Sequence, residues 1–90
     1  MPREQAAVFA LKLKYGNNYT PPPATGTMLA DMTDLNYYAA PWVEQAYADD
    51  LIPNCGIKSG TGTPLFCPKV MVTRGLAAYI IVRAKNLSMP

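Results

Sequence analysis

The chain contains no histidine, so the side chain that most often acts as general base is missing. This absence excludes Ser-His-Asp and Cys-His nucleophile systems and most catalytic zinc sites. Charged residues are scarce at 16% of the sequence, and the net charge of +2 comes without the dense basic stripe of nucleic-acid-binding proteins. We therefore predict a protein that is not an enzyme, uses no cofactor or metal, and binds no nucleic acid.

Long apolar runs are missing as well. The longest, residues 76–82, is far shorter than the roughly 20 residues that a membrane-spanning helix needs. The first residues are polar and Lys12 and Lys14 interrupt the apolar stretch after them, so we expect that any export signal lies outside this chain. Half of the 90 residues are nevertheless apolar, which predicts one small folded domain rather than a disordered chain.

The only two cysteines, Cys55 and Cys67, flank a loop rich in Gly and Thr, and nothing nearby completes a metal site. We predict a structural disulfide, worth roughly 3 kcal/mol for a loop of this size. The alternative is a pair of reduced thiols in the cytosol. Because disulfides persist in oxidising compartments, the predicted location is extracellular or periplasmic, and at the cell surface the sequons at Asn18 and Asn86 would be open to glycosylation.

Three segments rich in helix formers are predicted to be helices: residues 3–16, 39–49 and 73–85. The first ends at Gly16, a typical helix-terminating residue, and the second has Pro41 in its first turn, where proline is tolerated. In the third helix the apolar run 80–82 leaves a strand as the alternative. Residues 17–28, with three consecutive prolines, form the predicted linker between the first two helices. The expected fold class is mostly α.

The first and third predicted helices match each other at an offset of 71 residues. Arg3 aligns with Arg74, Ala6-Ala7 with Ala77-Ala78, Lys12 with Arg83, and Lys14 with Lys85. Polarity is kept at most aligned positions, so we predict an internal repeat. The chain then holds one whole repeat preceded by a duplicate of its closing helix.

Five landmarks along the chain carry a resemblance to a known family. They are residues 29–32 (LADM), 38–45 (YAAPWVEQ), 51–56 (LIPNCG), 65–68 (LFCP) and 72–74 (VTR). In order and spacing they resemble an S-layer homology (SLH) repeat of the cysteine-containing type. The resemblance covers residues 29–85 as one repeat and residues 1–16 as the closing helix of a preceding repeat, leaving 86–90 as a tail.

The resemblance implies a non-catalytic module that holds proteins on the bacterial cell surface, typically by binding a secondary cell-wall polysaccharide. The family's Thr-Arg-Ala-Glu motif, whose arginine is a main glycan contact, maps onto Thr73 and Arg74 and in part onto Arg3. We predict these three as glycan-binding residues, with Thr73 also capping the third helix. Leu76 replaces the motif's Glu, which removes the reciprocal half of the capping box. The alternative is that both arginines are first-turn residues without a ligand.

An aromatic cluster precedes the second helix and continues into it. Tyr37, Tyr38 and Trp42 could form a platform for sugars, but such a cluster at a helix start is more often part of a core. By the family pattern, Tyr38 and Val43 are expected to point inward.

The third helix is apolar on every face over residues 76–82, so it needs neighbours all round. Three helices in a small domain can hardly surround it, and residues 6–11 of the first helix pose the same problem. We therefore expect other copies of the chain to supply surfaces, with the first helix docking on the next subunit in a ring or filament. Two functions remain: an envelope-anchoring glycan-binding module, or a self-assembling subunit of a surface layer, tube or filament.

Overall fold

The computed structural model describes residues 1–85, which form three helices and one short sheet. The helices are α1 (Arg3–Tyr15), α2 (Ala40–Ala48) and α3 (Arg74–Lys85), and the two antiparallel strands are β1 (Gly56–Ile57) and β2 (Pro64–Leu65). The predicted mostly helical fold is confirmed, and each helix lies within one residue of its predicted bounds at either end. The predicted tail, residues 86–90, lies outside the described residues.

The ends of α1 and α2 are fixed by residues with positive φ. Gly16 has a φ of 103°, and its N–H donates to the Lys12 carbonyl at 2.8 Å, as expected for a glycine that terminates a helix. After α2, Asp50 adopts a φ of 59° and the Leu51 N–H donates to the Ala46 carbonyl at 2.9 Å. Asp50 thus takes the left-handed conformation that glycine more often supplies.

Helix α3 runs through residues 80–82, so the alternative of a strand there is wrong. Ile80 and Ala84 are its two buried residues, and they lie four positions apart on the face that packs against α1. Tertiary packing of this face outweighs the weak β preference of the β-branched side chains.

The core is built around α1, which packs against both α2 and α3. Alanines line much of the contact between helices, so the backbones can approach closely: Ala6, Ala7 and Ala10 of α1, and Ala40 and Ala46 of α2 are all buried. The largest fully buried side chains come mainly from outside the helices: Phe66, Leu11, Leu29, Leu51, Ile52 and Val43. The segments between helices therefore supply much of the core volume.

The N-terminal segment docks on the segment that leads into α3 of the same chain. Pro2 forms an isolated antiparallel bridge with Met71, and the Arg3 N–H donates to the Val70 carbonyl at 2.8 Å. The Val72 N–H donates in return to the Met1 carbonyl at 2.8 Å. Helix α1 thus completes the core of its own chain. The sequence had led us to expect that it docks on a neighbouring subunit.

The predicted linker has no regular secondary structure, but it is anchored to α2. Glu44 is 5% exposed, and its carboxylate accepts hydrogen bonds from the backbone N–H groups of Thr25 and Gly26, each at 2.8 Å, and from the Thr25 hydroxyl at 3.0 Å. Pro21 is buried as well. These contacts hold α1 close to the helices of its own chain.

Helix α3 has the fewest buried residues of the three helices, two against six in α1 and four in α2. Tyr79 is 37% exposed and Ile81 43%, whereas only Ile80 and Ala84 are buried. Within residues 1–85, none of the helices combines the length and hydrophobicity that crossing a bilayer requires.

Candidate functional site

The predicted site residues Thr73 and Arg74 lie at the N-terminus of α3. The Thr73 hydroxyl accepts a hydrogen bond from the Leu76 N–H at 3.1 Å, and the Thr73 carbonyl accepts one from the Ala77 N–H at 2.9 Å. This is the geometry of a side-chain N-cap, so the predicted capping by Thr73 is confirmed. The Thr73 hydroxyl thus satisfies the Leu76 N–H, and the reciprocal bond that the motif's Glu would accept from the Thr73 N–H is the one that Leu76 cannot make.

Arg74 is exposed, and within residues 1–85 its guanidinium takes part in no ion pair or hydrogen bond. The backbone N–H groups of Arg74 and Gly75 also make no hydrogen bond within that range. A Cβ placed on Gly75 would meet nothing within 4 Å, so the space beside Gly75 is open. The positive end of the helix dipole, free N–H groups and a guanidinium together can bind an anionic group.

Arg3 occupies the equivalent position on α1 but is only 6% exposed. Its Nε donates to the Phe66 carbonyl at 2.8 Å, its Nη2 donates to the Pro53 carbonyl, and its guanidinium carbon lies 5.1 Å from the centre of the Phe66 ring. Burial lowers the pKa of Arg3 from its ordinary value, and attraction to Asp31 opposes that shift. The structure thus separates the predicted glycan-binding residues: Thr73 and Arg74 face the open end of α3, and Arg3 lies inside the fold.

The predicted disulfide between Cys55 and Cys67 is present, with the two Cα atoms 6.1 Å apart. It joins the two segments that supply the carbonyl groups for Arg3, one just before Cys55 and the other just before Cys67. Asp31 holds the same region, because its carboxylate accepts hydrogen bonds from the Phe66 and Cys67 N–H groups at 2.8 and 2.7 Å. The Arg3 pocket is therefore fixed by a covalent bond on one side and a carboxylate on the other.

Glu4 forms a second polar contact at the base of α1. It is 3% exposed, accepts a hydrogen bond from the Tyr37 hydroxyl, and pairs with the Lys69 ammonium at 2.8 Å. Sequence reasoning missed the roles of Glu4, Glu44 and Asp31. Asp31 and Glu44 had a signal, since they lie in the first and second landmarks of the family pattern.

The aromatic cluster divides between half-buried and exposed side chains. Tyr37 and Trp42 are half-buried against the core, whereas Tyr38 is 60% exposed. The prediction that Tyr38 points inward is wrong, and Tyr37 takes the inward position because its hydroxyl satisfies the buried Glu4 carboxylate. Val43 is buried as predicted.

Within residues 1–85, no three side chains among the Cys, Asp and Glu residues come together in a way that could hold a metal ion. Of the two sequons, Asn18 is exposed and Asn86 lies outside the described residues.

Comparison of the chain with protein-family models, curated proteins and solved structures found no significant match.

Proposed function

We propose that this chain is a non-catalytic module of the bacterial cell surface that binds an anionic cell-wall glycan at the N-terminus of α3. The observation that carries the proposal is the exposure of Arg74 at the start of a capped helix, beside N–H groups that have no hydrogen-bond partner among residues 1–85. Arg3 was predicted to belong to the same site. Its guanidinium instead donates to carbonyl groups inside the fold, so we assign it a structural role.

The chemistry of this end of α3 suits a carboxylate-bearing sugar. The guanidinium of Arg74 is a planar donor that can bind a carboxylate with two parallel hydrogen bonds. The helix dipole adds a fixed partial positive charge that carries no cost of side-chain ordering. Thr73 keeps the first turn in place by capping it.

The disulfide supports a location outside the cytoplasm, because such bonds are rare where glutathione and thioredoxin keep thiols reduced. The SLH-like order of the landmarks supports the envelope as the setting.

The proposal is tested by co-sedimentation of the purified chain with bacterial cell-wall polysaccharide. We expect Arg74→Ala to lose retention, because it removes the exposed guanidinium at this end of α3. Lys58→Ala is the matched control, since Lys58 is an exposed cation in the loop between β1 and β2. Equal retention of wild type and Arg74→Ala would contradict the proposal.

Self-assembly is the second candidate function, and the exposed flank of α3 favours it. Away from α1, this helix presents Ala78, Tyr79 and Val82 around a shallow hollow of about 350 Å³. A further copy of the chain could cover this apolar surface and extend the assembly through a heterologous contact.

Light scattering and negative-stain images of the purified chain test assembly. Large particles are expected for the wild type, and Ala78→Glu should dissolve them because it places a charge on the exposed flank. A monomer at micromolar concentration for the wild type would exclude assembly. A deletion of residues 1–16 is unsuitable here, since these residues form part of the chain's own core.

A further inference from the structure

An apolar hollow lies between α1 and α3, beside the first turn of α3. Its volume is about 340 Å³, near the lower end of the range of about 300–1,000 Å³ that is usual for small-molecule sites. Ala6 of α1 and Ala77 of α3 both line it, and their short side chains leave space between the two helices. The hollow is therefore large enough for one small ligand.

Buried and exposed apolar side chains both line this hollow. Ile80 is 2% exposed, whereas Phe9 is 44% exposed and Ile81 43%. Phe9 and Ile81 therefore keep apolar surface in contact with water at the edge of the hollow. An apolar group seated between them would remove that surface from water, which favours binding.

Charge reaches the hollow only from the N-terminus of α3. Thr73 and Arg74 are its two polar lining residues, and none of the lining residues is an Asp or a Glu. The Arg74 guanidinium takes part in no ion pair within residues 1–85, so its charge is not balanced there. An ion pair formed beside apolar side chains is screened less than one in open water. Charge complementarity therefore points to a ligand with one negative charge at the end of an apolar body.

We infer that the hollow binds a free medium-chain fatty acid, with its carboxylate on Arg74 and its alkyl chain between α1 and α3. The guanidinium can donate two parallel hydrogen bonds to the carboxylate, and burial of each methylene adds to the affinity. The inference goes beyond the proposed glycan function and does not rest on it. Because both ligands use Arg74, a bound fatty acid and a glycan compete for that residue.

A second copy of the chain is a poorer occupant of this hollow. A stable interface between proteins buries about 800 Å² on each partner, and a hollow for one slender group supplies only a small part of that area. Each of the six carboxylates in the sequence also accepts at least one hydrogen bond inside the fold, so the acidic groups of a neighbouring copy are already engaged.

Isothermal titration of the full chain with butyrate, hexanoate and octanoate, each below its micelle concentration, tests the inference. Each fully buried methylene improves affinity about fourfold. We expect octanoate to bind at least about tenfold more tightly than butyrate, because the hollow covers part of the added chain. Octanol and octylamine are the neutral and cationic controls, and both should bind more weakly than octanoate. Equal affinities for butyrate and octanoate would overturn the inference.

Variants of the lining locate the two ends of the ligand. Ala77→Leu fills the hollow and should weaken octanoate binding at least about tenfold, and Arg74→Ala should remove the preference for octanoate over octanol. Ala48→Leu is the matched control, since it makes the same change at an exposed position of α2 that does not line the hollow. Equal weakening by both leucine variants, or an unchanged preference in Arg74→Ala, would contradict the assigned site. The chain-length series on the wild type tests the inference without any variant.

The outcomes separate this inference from the proposed function, because the titrations contain no polysaccharide. Absence of octanoate binding overturns the fatty-acid site and leaves the glycan proposal standing. Octanoate binding without retention on polysaccharide supports the fatty-acid site and contradicts the glycan proposal. Co-sedimentation with phosphatidylglycerol vesicles in the absence of octanoate binding would assign the hollow to a membrane surface and overturn the inference.

Discussion

Helices α1 and α3 have related sequences and both begin with an arginine, yet these two arginines lie in opposite environments. Arg3 is buried against the carbonyl groups of Pro53 and Phe66, whereas Arg74 is exposed. The two arginines differ because their helices face different surfaces. Within residues 1–85, the disulfide-bridged segments form one pocket for a guanidinium, and Arg3 of α1 occupies it. A repeated motif thus fixes the type and position of a side chain, while the opposing surface decides its role.

The N-termini of the two helices differ in the same sense. In α1 the N–H groups of Arg3 and Glu4 donate to backbone carbonyls of residues 70 and 68, and Pro2 provides no side-chain cap. In α3 the side chain of Thr73 forms the cap, and the N–H groups of Arg74 and Gly75 stay unbonded within residues 1–85. The N–H groups at the start of α1 are therefore used by the fold itself, whereas those at the start of α3 could donate to a ligand.

The largest expected effect comes from truncating each arginine in turn. Arg3→Ala should lower the free energy of unfolding by about 3 kcal/mol, because the buried Phe66 carbonyl and the partly buried contact to the Pro53 carbonyl lose their donor and the packed side-chain stem is lost. Arg74→Ala should change it by less than about 0.5 kcal/mol, as for most exposed substitutions. Urea unfolding monitored by circular dichroism measures both.

Arg3→Lys sharpens this comparison, since a lysine cannot reproduce the planar fork that reaches both carbonyls. It should recover only part of the loss. Equal costs for the Ala variants of Arg3 and Arg74 would contradict the assignment of a buried structural role to one and an exposed role to the other.

Removing the disulfide comes next, with a similar expected magnitude. Replacing both Cys55 and Cys67 by Ser should cost about 3 kcal/mol in the chain-entropy view of a short closed loop. The loss should be less than additive with Arg3→Ala, by about 1 kcal/mol, because the disulfide positions the segments that carry the carbonyl partners of Arg3. A double-mutant cycle by urea unfolding measures the coupling. Strict additivity would show that the bridge and the arginine pocket are independent.

The smallest effect concerns the C-terminus of α1 at alkaline pH. The Tyr15 hydroxyl donates to the Asp49 carboxylate at 2.6 Å, and this hydrogen bond raises the pKa of Tyr15 above its ordinary value of 10.0. Because the folded-state pKa is the higher one, the stabilisation is full below pH 10.0 and is lost as pH rises through the folded-state value. Urea midpoints measured across this range should fall less steeply for Tyr15→Phe than for the wild type.

Tyr79→Phe on α3 is the matched control for this pH dependence, since the Tyr79 hydroxyl lies 3.5 Å from the carboxylate of Asp50. This variant should keep the alkaline loss of stability because Tyr15 is still present. Identical pH profiles for wild type and Tyr15→Phe would rule out the contribution of the Tyr15–Asp49 hydrogen bond.

Features that depend on neighbouring residues were predictable from the sequence, and contacts between distant segments were not. Gly16 ends α1 and Thr73 caps α3 as expected, since both act within one helical turn. The prediction that Tyr38 points inward was wrong. Tyr37 points inward instead because its hydroxyl reaches Glu4, which lies 33 residues earlier in the chain, and nothing in the local sequence distinguishes the two tyrosines. The role of Glu44 was missed for the same reason, since nothing near it in sequence marks the linker backbone as its partner.

The candidate site was predictable in part. Sequence reasoning selected Thr73 and Arg74 from a local motif, and the structure places both at one exposed helix end. It did not separate Arg3 from them, because the burial of Arg3 arises only when α1 packs against the segments that carry the Pro53 and Phe66 carbonyl groups.

The sequence by itself determined the three helices, their ends, the disulfide between Cys55 and Cys67 and the capping of α3. These depend on propensities, local hydrogen bonds and the pairing of the only two cysteines. Only the tertiary structure decided that Arg3 is buried and Arg74 exposed, and that α1 completes the core of its own chain. The reason is that burial depends on which distant surface meets a side chain, and equivalent helices in one chain meet different surfaces.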